Sequence, residues 1–196
     1  MTDGAARPDT GEGPLDDWGP LTGLPGHPLM WVLIGSELLV FGAALIAVLS
    51  VRIADPIAFA AAQDQLDRVA GGLNTLVLIV SGYAAARAVV TAKAGAIRLT
   101  RLWLSASMAL GLIFLSVKAI EYAAEIEAGW GLGSGGFITL YFLVTGFHAL
   151  HVVMGIAILA IVARPASPSA VETGAAFWHM VDLVWLLVYP TIYLVR

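Results

Sequence analysis

The sequence predicts an all-α, polytopic integral membrane protein, built as a bundle of five transmembrane helices. Of its 196 residues, 59% are apolar and only 12% are charged, whereas soluble domains are about 45 to 50% apolar with about a quarter of their residues charged. The mean hydropathy is +0.87. Five separate apolar segments each approach or exceed the roughly 20 residues that a spanning helix needs, so each is predicted to cross the membrane.

The first predicted span covers residues 29–51 and follows an acidic segment. Residues 1–28 lack the basic start and the apolar stretch of a signal peptide, and we predict that they form a disordered tail. Their acidic residues are Asp3, Asp9, Glu12, Asp16 and Asp17. The span itself begins after Pro28, a residue favoured in the first turn of a helix, and ends before Arg52.

The four later spans are predicted at residues 71–91, 101–125, 136–163 and 174–195, within a transmembrane domain that covers residues 29–196. Residues 57–69, in the polar first connection, are predicted to form a surface helix. Small residues on the spans allow helix backbones to approach closely, which predicts a compact bundle. These residues are Gly35, Gly42, Ser81, Gly82, Ser107, Gly111, Gly146 and Gly155.

The positive charges are distributed unequally between the two predicted sides of the membrane. The side of the amino terminus has Arg7, Arg87, Lys93, Arg98, Arg101 and Arg164. The opposite side has Arg52, Arg68 and Arg196. Because positive residues concentrate on the cytoplasmic side, the bias predicts a cytoplasmic amino terminus and an external carboxyl terminus.

Charge and cysteine content exclude several classes of function. The formal net charge is −4, and the sequence has no basic patch that would suit nucleic acid. The chain contains no cysteine, which excludes disulfides, iron–sulfur clusters, thiolate metal sites and covalent attachment of c-type haem.

Ionisable side chains inside the predicted spans are the first candidates for function, because such groups are costly in a bilayer unless they are paired. At 1.5 Å per residue, Glu37, His151, His179 and Asp182 all lie at a depth of about 8 to 16 Å from the same side, and His148 lies about one turn deeper. We therefore predict one polar layer shared by three helices.

Two interpretations of this layer follow from the residues. The groups either form hydrogen bonds that fix the helix packing, or they bind protons, since an imidazole can share the proton of a buried carboxyl. We predict that Glu37 is largely protonated at neutral pH and reacts with a hydrophobic carbodiimide. The three-residue spacing of His148 and His151 also allows metal ligation, but we predict no bound metal because further ligands are lacking.

A second polar stripe lies near the outer end of the third span. Lys118, Glu121, Tyr122 and Glu125 follow the spacing of one helix face, and Lys118 and Glu121 are placed to form an ion pair within the helix. The stripe either lowers the cost of insertion through this pair or faces a partner subunit or a lipid head group.

Four segments resemble motifs of the cytochrome c oxidase subunit III family, in the same order. Residues 31–42 contain Gly35-Ser36-Glu37 followed by Phe41, and the third span ends in Glu121-Tyr122. Residues 145–155 read TGFHALHVVMG, and residues 177–185 read FWHMVDLVW. The segments 24–31 and 172–179 look most like the short NorE-type branch, which is associated with nitric oxide reductase and denitrification.

The resemblance implies an accessory subunit that is not itself an enzyme, in the plasma membrane of a bacterium. Haem and metal would be held by a partner, the catalytic subunit of a haem–copper oxidase or of a nitric oxide reductase, and this chain would bind no redox cofactor. In mitochondrial members two further spans precede these five and form a cleft that holds lipids. The resemblance therefore leaves open whether this chain binds lipid. A five-span subunit III of an aerobic oxidase and a stand-alone proton-coupled transporter or channel are the alternatives.

Overall fold

The computed structural model describes residues 28–195 and contains six helices, with no strand in that range. The helices are α1 (Pro28–Ala54), α2 (Pro56–Gln63), α3 (Arg68–Lys93), α4 (Ile97–Glu127), α5 (Gly136–Val162) and α6 (Pro168–Tyr189), and α6 continues into a π-helical turn at Pro190–Leu194. Five helices are long and apolar enough to cross a membrane, which confirms the predicted class. Apart from Pro28, the predicted tail lies outside the described residues.

Polar caps set the starts of α3 and α6. Asp67 accepts hydrogen bonds from the backbone N–H groups of Val69 and Ala70 at the start of α3. Ser167 accepts one from Ala170 at the start of α6, where Pro168 occupies the first turn. Helices α3 and α6 therefore begin three and six residues before the predicted spans at 71 and 174, because a capped first turn is helical even when its residues are polar.

Helices α5 and α6 each pack against three other spans, α5 against α1, α4 and α6, and α6 against α1, α3 and α5. The span of α6 is the most buried of the five. The indole of Trp178 on α6 is fully buried and lies against two glycines. A Cβ atom at Gly111 or at Gly155 would come within 2.7 Å of that ring. The indole N–H donates a hydrogen bond to Ser81 on α3, at 3.1 Å. At these two positions the small residues make room for a tryptophan ring, whereas the sequence predicted a close approach of helix backbones.

The short helix α2 fixes the end of the last span. Pro190 has no N–H to continue the α-helical pattern, and the chain forms a wider π-helical turn there. The amide of Gln63, at the end of α2, donates to the carbonyl oxygens of Ile192 at 2.8 Å and of Val195 at 3.1 Å. The observed helix α2, Pro56–Gln63, is shorter than the surface helix predicted at 57–69. Its last residue satisfies carbonyl groups that the π-helical turn leaves free.

Candidate functional site

The closest contact between ionisable groups of α1 and α5 joins Glu37 and His151. Oε2 of Glu37 lies 3.0 Å from Nε2 of His151. The other ring nitrogen, Nδ1, lies 2.8 Å from the backbone carbonyl oxygen of Phe147. A carbonyl oxygen can only accept, so Nδ1 carries a hydrogen and the neutral ring has its lone pair on Nε2. The approach of Glu37 to Nε2 is short but lacks hydrogen-bond geometry, and Oε2 has no hydrogen-bond partner among residues 28–195.

This pair lies at the edge of the bundle. The His151 ring packs edge-on against Phe41 and Phe147, with centroids 5.4 Å and 4.5 Å away. The side chain of Glu37 retains 18% of its exposure, and α1 is the least buried of the five spans. An apolar reagent dissolved in the membrane can therefore reach the carboxyl.

His148 does not join that pair. Its side chain is completely buried between the rings of Phe114 and Trp185, whose centroids are 5.6 Å and 5.0 Å from its own. Neither ring nitrogen has a hydrogen-bond partner among residues 28–195. His148 is thus a packing element of the core in this structure, although it lies on the same helix as His151.

His179 and Asp182 form a separate polar group on α6. Nδ1 of His179 lies 3.9 Å from Oδ2 of Asp182, which is too long for a hydrogen bond. Both side chains line a cavity beside Gly82 of α3, and no hydrogen bond within the described range connects them to Glu37 or His151. The two pairs, which depth alone placed in one polar layer, therefore lie in two separate places in the bundle.

The third group surrounds Lys118, which is 98% buried at the far end of α4. Its ammonium group donates to Glu121 at 3.0 Å, to the hydroxyl of Tyr141 at 3.2 Å and to the hydroxyl of Tyr193 at 2.9 Å. Both hydroxyls donate in turn to the other carboxylate oxygen of Glu121. All three ammonium donors are thus used, and the group joins α4, α5 and the π-helical turn.

The ion pair between Lys118 and Glu121 agrees with the spacing in the sequence, whereas the two tyrosines were missed. Tyr141 is 23 and Tyr193 is 75 residues from Lys118, and neither follows a local pattern. The sequence nevertheless indicated that Lys118 has further partners, because a buried ammonium needs three acceptors and Glu121 supplies only one of them. Tyr122 makes a different contact, with the hydroxyl of Thr145 at 2.6 Å.

The fold and these three groups define a class: a helical membrane protein with several separate groups of polar side chains in its interior, of which the Lys118 group is satisfied by its own members. Its sequence matches the family described as cytochrome c oxidase subunit III over residues 30–195. Since this match covers most of the chain, the protein belongs to the cytochrome c oxidase subunit III family.

Similar sequences agree with this assignment. "Cytochrome c oxidase subunit 3" of Corynebacterium diphtheriae is 35% identical over 130 residues, which cover 62% of this chain and 63% of the relative. "Probable cytochrome c oxidase subunit 3" of Mycobacterium tuberculosis is 34% identical over 130 residues, and "Cytochrome c oxidase subunit 3" of Thermostichus vulcanus is 33% identical over 131 residues. The matches to these two cover 62% of this chain and 64% of each relative, so the chain spans less than two thirds of the relatives' length.

Proposed function

We propose that the chain is a non-catalytic accessory subunit of a haem–copper oxidase superfamily complex, seated beside the catalytic subunit in a bacterial plasma membrane. The observation that carries this proposal is the self-contained Lys118 group, in which Lys118, Glu121 and two tyrosines satisfy one another. Groups committed to each other in this way stabilise a scaffold and are not free to bind substrate.

The histidines support the same assignment. His151 is engaged at both ring nitrogens, by Phe147 and by Glu37, and His148 is enclosed by aromatic rings. Among residues 28–195, no three His, Asp or Glu side chains come together as a metal site. We therefore assign haem and redox metal to the partner and none to this chain.

The contact between Glu37 and His151 suggests what the scaffold contributes during turnover. A carboxyl and an imidazole 3.0 Å apart at the edge of the bundle can pass a proton between them. We assign to this pair a supporting role in proton uptake by the catalytic subunit, with the amino terminus on the cytoplasmic side as the distribution of positive charges predicts.

At a finer level, our proposal is that the partner is a nitric oxide reductase. Its support is the resemblance of residues 24–31 and 172–179 to the NorE-type branch. Within the second of these segments, Glu172 forms an ion pair with Lys93 of α3 at 3.1 Å, so this segment also contacts α3. An aerobic cytochrome c oxidase is the other candidate partner.

The test is a pull-down of the tagged chain from native membranes in a mild detergent, after growth on oxygen and after growth on nitrate, with mass spectrometry of the partners. We expect a nitric oxide reductase catalytic subunit under nitrate. Recovery of an oxidase subunit I in both conditions would keep the accessory role and overturn the finer proposal. Recovery of no haem protein in either would overturn both, and would favour a stand-alone proton transporter, for which proton flux in liposomes is the next measurement.

A further inference from the structure

A groove on the membrane-facing side of the bundle has α6 as its floor and α1 and α3 as its walls. Its larger part has a volume of about 530 Å³ and an almost entirely apolar lining that includes Ile34, Leu38 and Ala176. A second cavity of about 290 Å³ adjoins it, because Ala86, His179 and Leu183 line both. The groove therefore has a long apolar part and a polar end, which His179 and Asp182 provide.

The polar end is built to hold a group from outside the chain. Asp182 is 92% buried, and neither of its carboxyl oxygens has a hydrogen-bond partner within residues 28–195. A Cβ atom at position 82 would clash with Oδ2, so only a glycine at this position leaves room for the carboxyl. The side chain of His179 is 46% exposed and is accessible from the membrane. Buried polar groups without partners are costly, which points to a missing partner.

The position of this end limits the chemistry of that partner. Asp182 lies 14 residues after Pro168 and 12 before Leu194, which places it about 21 Å and about 18 Å from those ends and thus near the middle of the membrane. Phospholipid head groups lie outside a hydrocarbon core about 30 Å thick and do not reach this depth. The linings of the two cavities also contain two carboxyl groups, from Glu172 and Asp182, and no Lys or Arg, which disfavours an anionic phosphate.

A hydroxyl group satisfies these conditions, because it both donates and accepts and can therefore bridge a carboxyl and an imidazole. An aromatic carrier fits better than an aliphatic one. Tyr83 lines the same cavity, and its ring is held edge-to-face against Trp103 at a centroid distance of 6.2 Å. A flat ring beside Tyr83 gains a favourable aromatic contact, while the apolar part of the groove accepts a hydrocarbon tail.

We infer that this groove is a binding site for a neutral phenol on an apolar tail, the chemistry of a membrane quinol, with the hydroxyl placed between His179 and Asp182. The site involves binding only and requires no partner subunit, so it goes beyond the proposed accessory function.

The test uses the full chain in phosphatidylcholine nanodiscs and tritiated 4-dodecylphenol, with empty nanodiscs as the measure of simple partition. Ala86→Phe fills the groove from an exposed position, and Asp182→Leu removes the carboxyl. Ala109→Phe is the matched control, because Ala109 is also exposed but lies on α4, outside the groove. We expect saturable binding that weakens at least about tenfold in both variants, because Ala86→Phe occupies the groove and Asp182→Leu loses a hydrogen bond to a buried group. Binding should change less than about twofold in the control.

Competition identifies the ligand class. Decylubiquinol is expected to displace the probe, whereas dodecylbenzene, which lacks the hydroxyl, and 1-dodecanol, which lacks the ring, are not. Absence of saturable binding, equal displacement by 1-dodecanol, or unchanged binding in Ala86→Phe would each overturn the proposal. If Ala86→Phe instead abolishes recovery of the catalytic subunit while phenol binding persists, the groove is a subunit contact and the inference is wrong.

Discussion

His151 is held between a backbone carbonyl and a carboxyl: its Nδ1 lies 2.8 Å from the oxygen of Phe147 and its Nε2 lies 3.0 Å from Oε2 of Glu37. The first contact fixes the tautomer, so the neutral ring presents the lone pair of Nε2 to the carboxyl. Since α1 and α5 are joined here by an acid and a base in hydrocarbon, the reactivity of Glu37 is the most direct property to measure.

We expect Glu37 to be the main site of reaction with a hydrophobic carbodiimide. The reagent partitions into the membrane and reacts with protonated carboxyl groups, and Glu37 is accessible at the edge of the bundle. Glu37→Gln should abolish the labelled peptide that covers α1, as measured by mass spectrometry. Glu172→Gln is the control, because Glu172 is paired with Lys93 outside this contact, and it should leave the labelling unchanged. Undiminished labelling of the Glu37→Gln protein would contradict the assignment.

Breaking the ion pair inside the Lys118 cluster should destabilise the fold far more than breaking the ion pair at the surface. Lys118→Leu leaves Glu121 buried without its cation, a change that typically costs about 3 to 5 kcal/mol. Lys93→Leu removes a partly exposed pair worth about 1 kcal/mol or less. The free energy of unfolding in detergent, from titration with a denaturing surfactant, gives both values. Equal losses for the two variants would show that the Lys118 cluster is not formed.

A double variant tests the coupling within the same cluster. If Lys118 and Glu121 stabilise the fold mainly by neutralising each other, Lys118→Leu/Glu121→Leu should be less destabilised than the sum of the two single variants. An additive loss would mean that the two residues act independently. Tyr193→Phe, which removes one hydroxyl and leaves the ion pair, should cost about 1 kcal/mol.

Trp178 depends on the absence of a side chain at Gly155. Gly155→Val should displace the indole, since even a Cβ atom would come within 2.7 Å of it, and overpacking of this kind costs about 1 to 3 kcal/mol. Gly42→Ala is the control, because nothing lies within 4 Å of its added Cβ, and Ala favours a helix over Gly by up to about 1 kcal/mol. Thermal unfolding in detergent should therefore fall for the first variant and not for the second.

Gln63 should protect the end of the last span from hydrogen exchange. Gln63→Leu removes both donors to the carbonyls of Ile192 and Val195, so the π-helical turn should open more often and its backbone amides should exchange faster. Gln65→Leu is a close control, because Gln65 is exposed on the same segment. Unchanged exchange at residues 191–195 in Gln63→Leu would show that these two hydrogen bonds do not protect the turn.

The five spans could be predicted from the sequence, but the direction in which each side chain points around its helix could not. The predicted spans begin three residues late at α3, four at α4 and six at α6, and at α3 and α6 a capping side chain precedes polar residues such as Arg68 and Glu172. The spacing of Lys118 and Glu121 predicted their ion pair. The separation of His179 and Asp182 from Glu37 and His151 depends on which neighbour each helix face meets, which is a property of the packed bundle and not of residue spacing.

The contact between α2 and the last turn also has a consequence for the order of assembly. Gln63 and Ile192 are separated by 129 residues, so four spans are synthesised between the donor and its acceptor. The hydrogen bond between Gln63 and Ile192 therefore cannot form until the final span has been inserted. Closure of this face of the bundle is therefore a late event in biogenesis, which the nascent chain completes only after the carboxyl-terminal segment has left the insertion machinery.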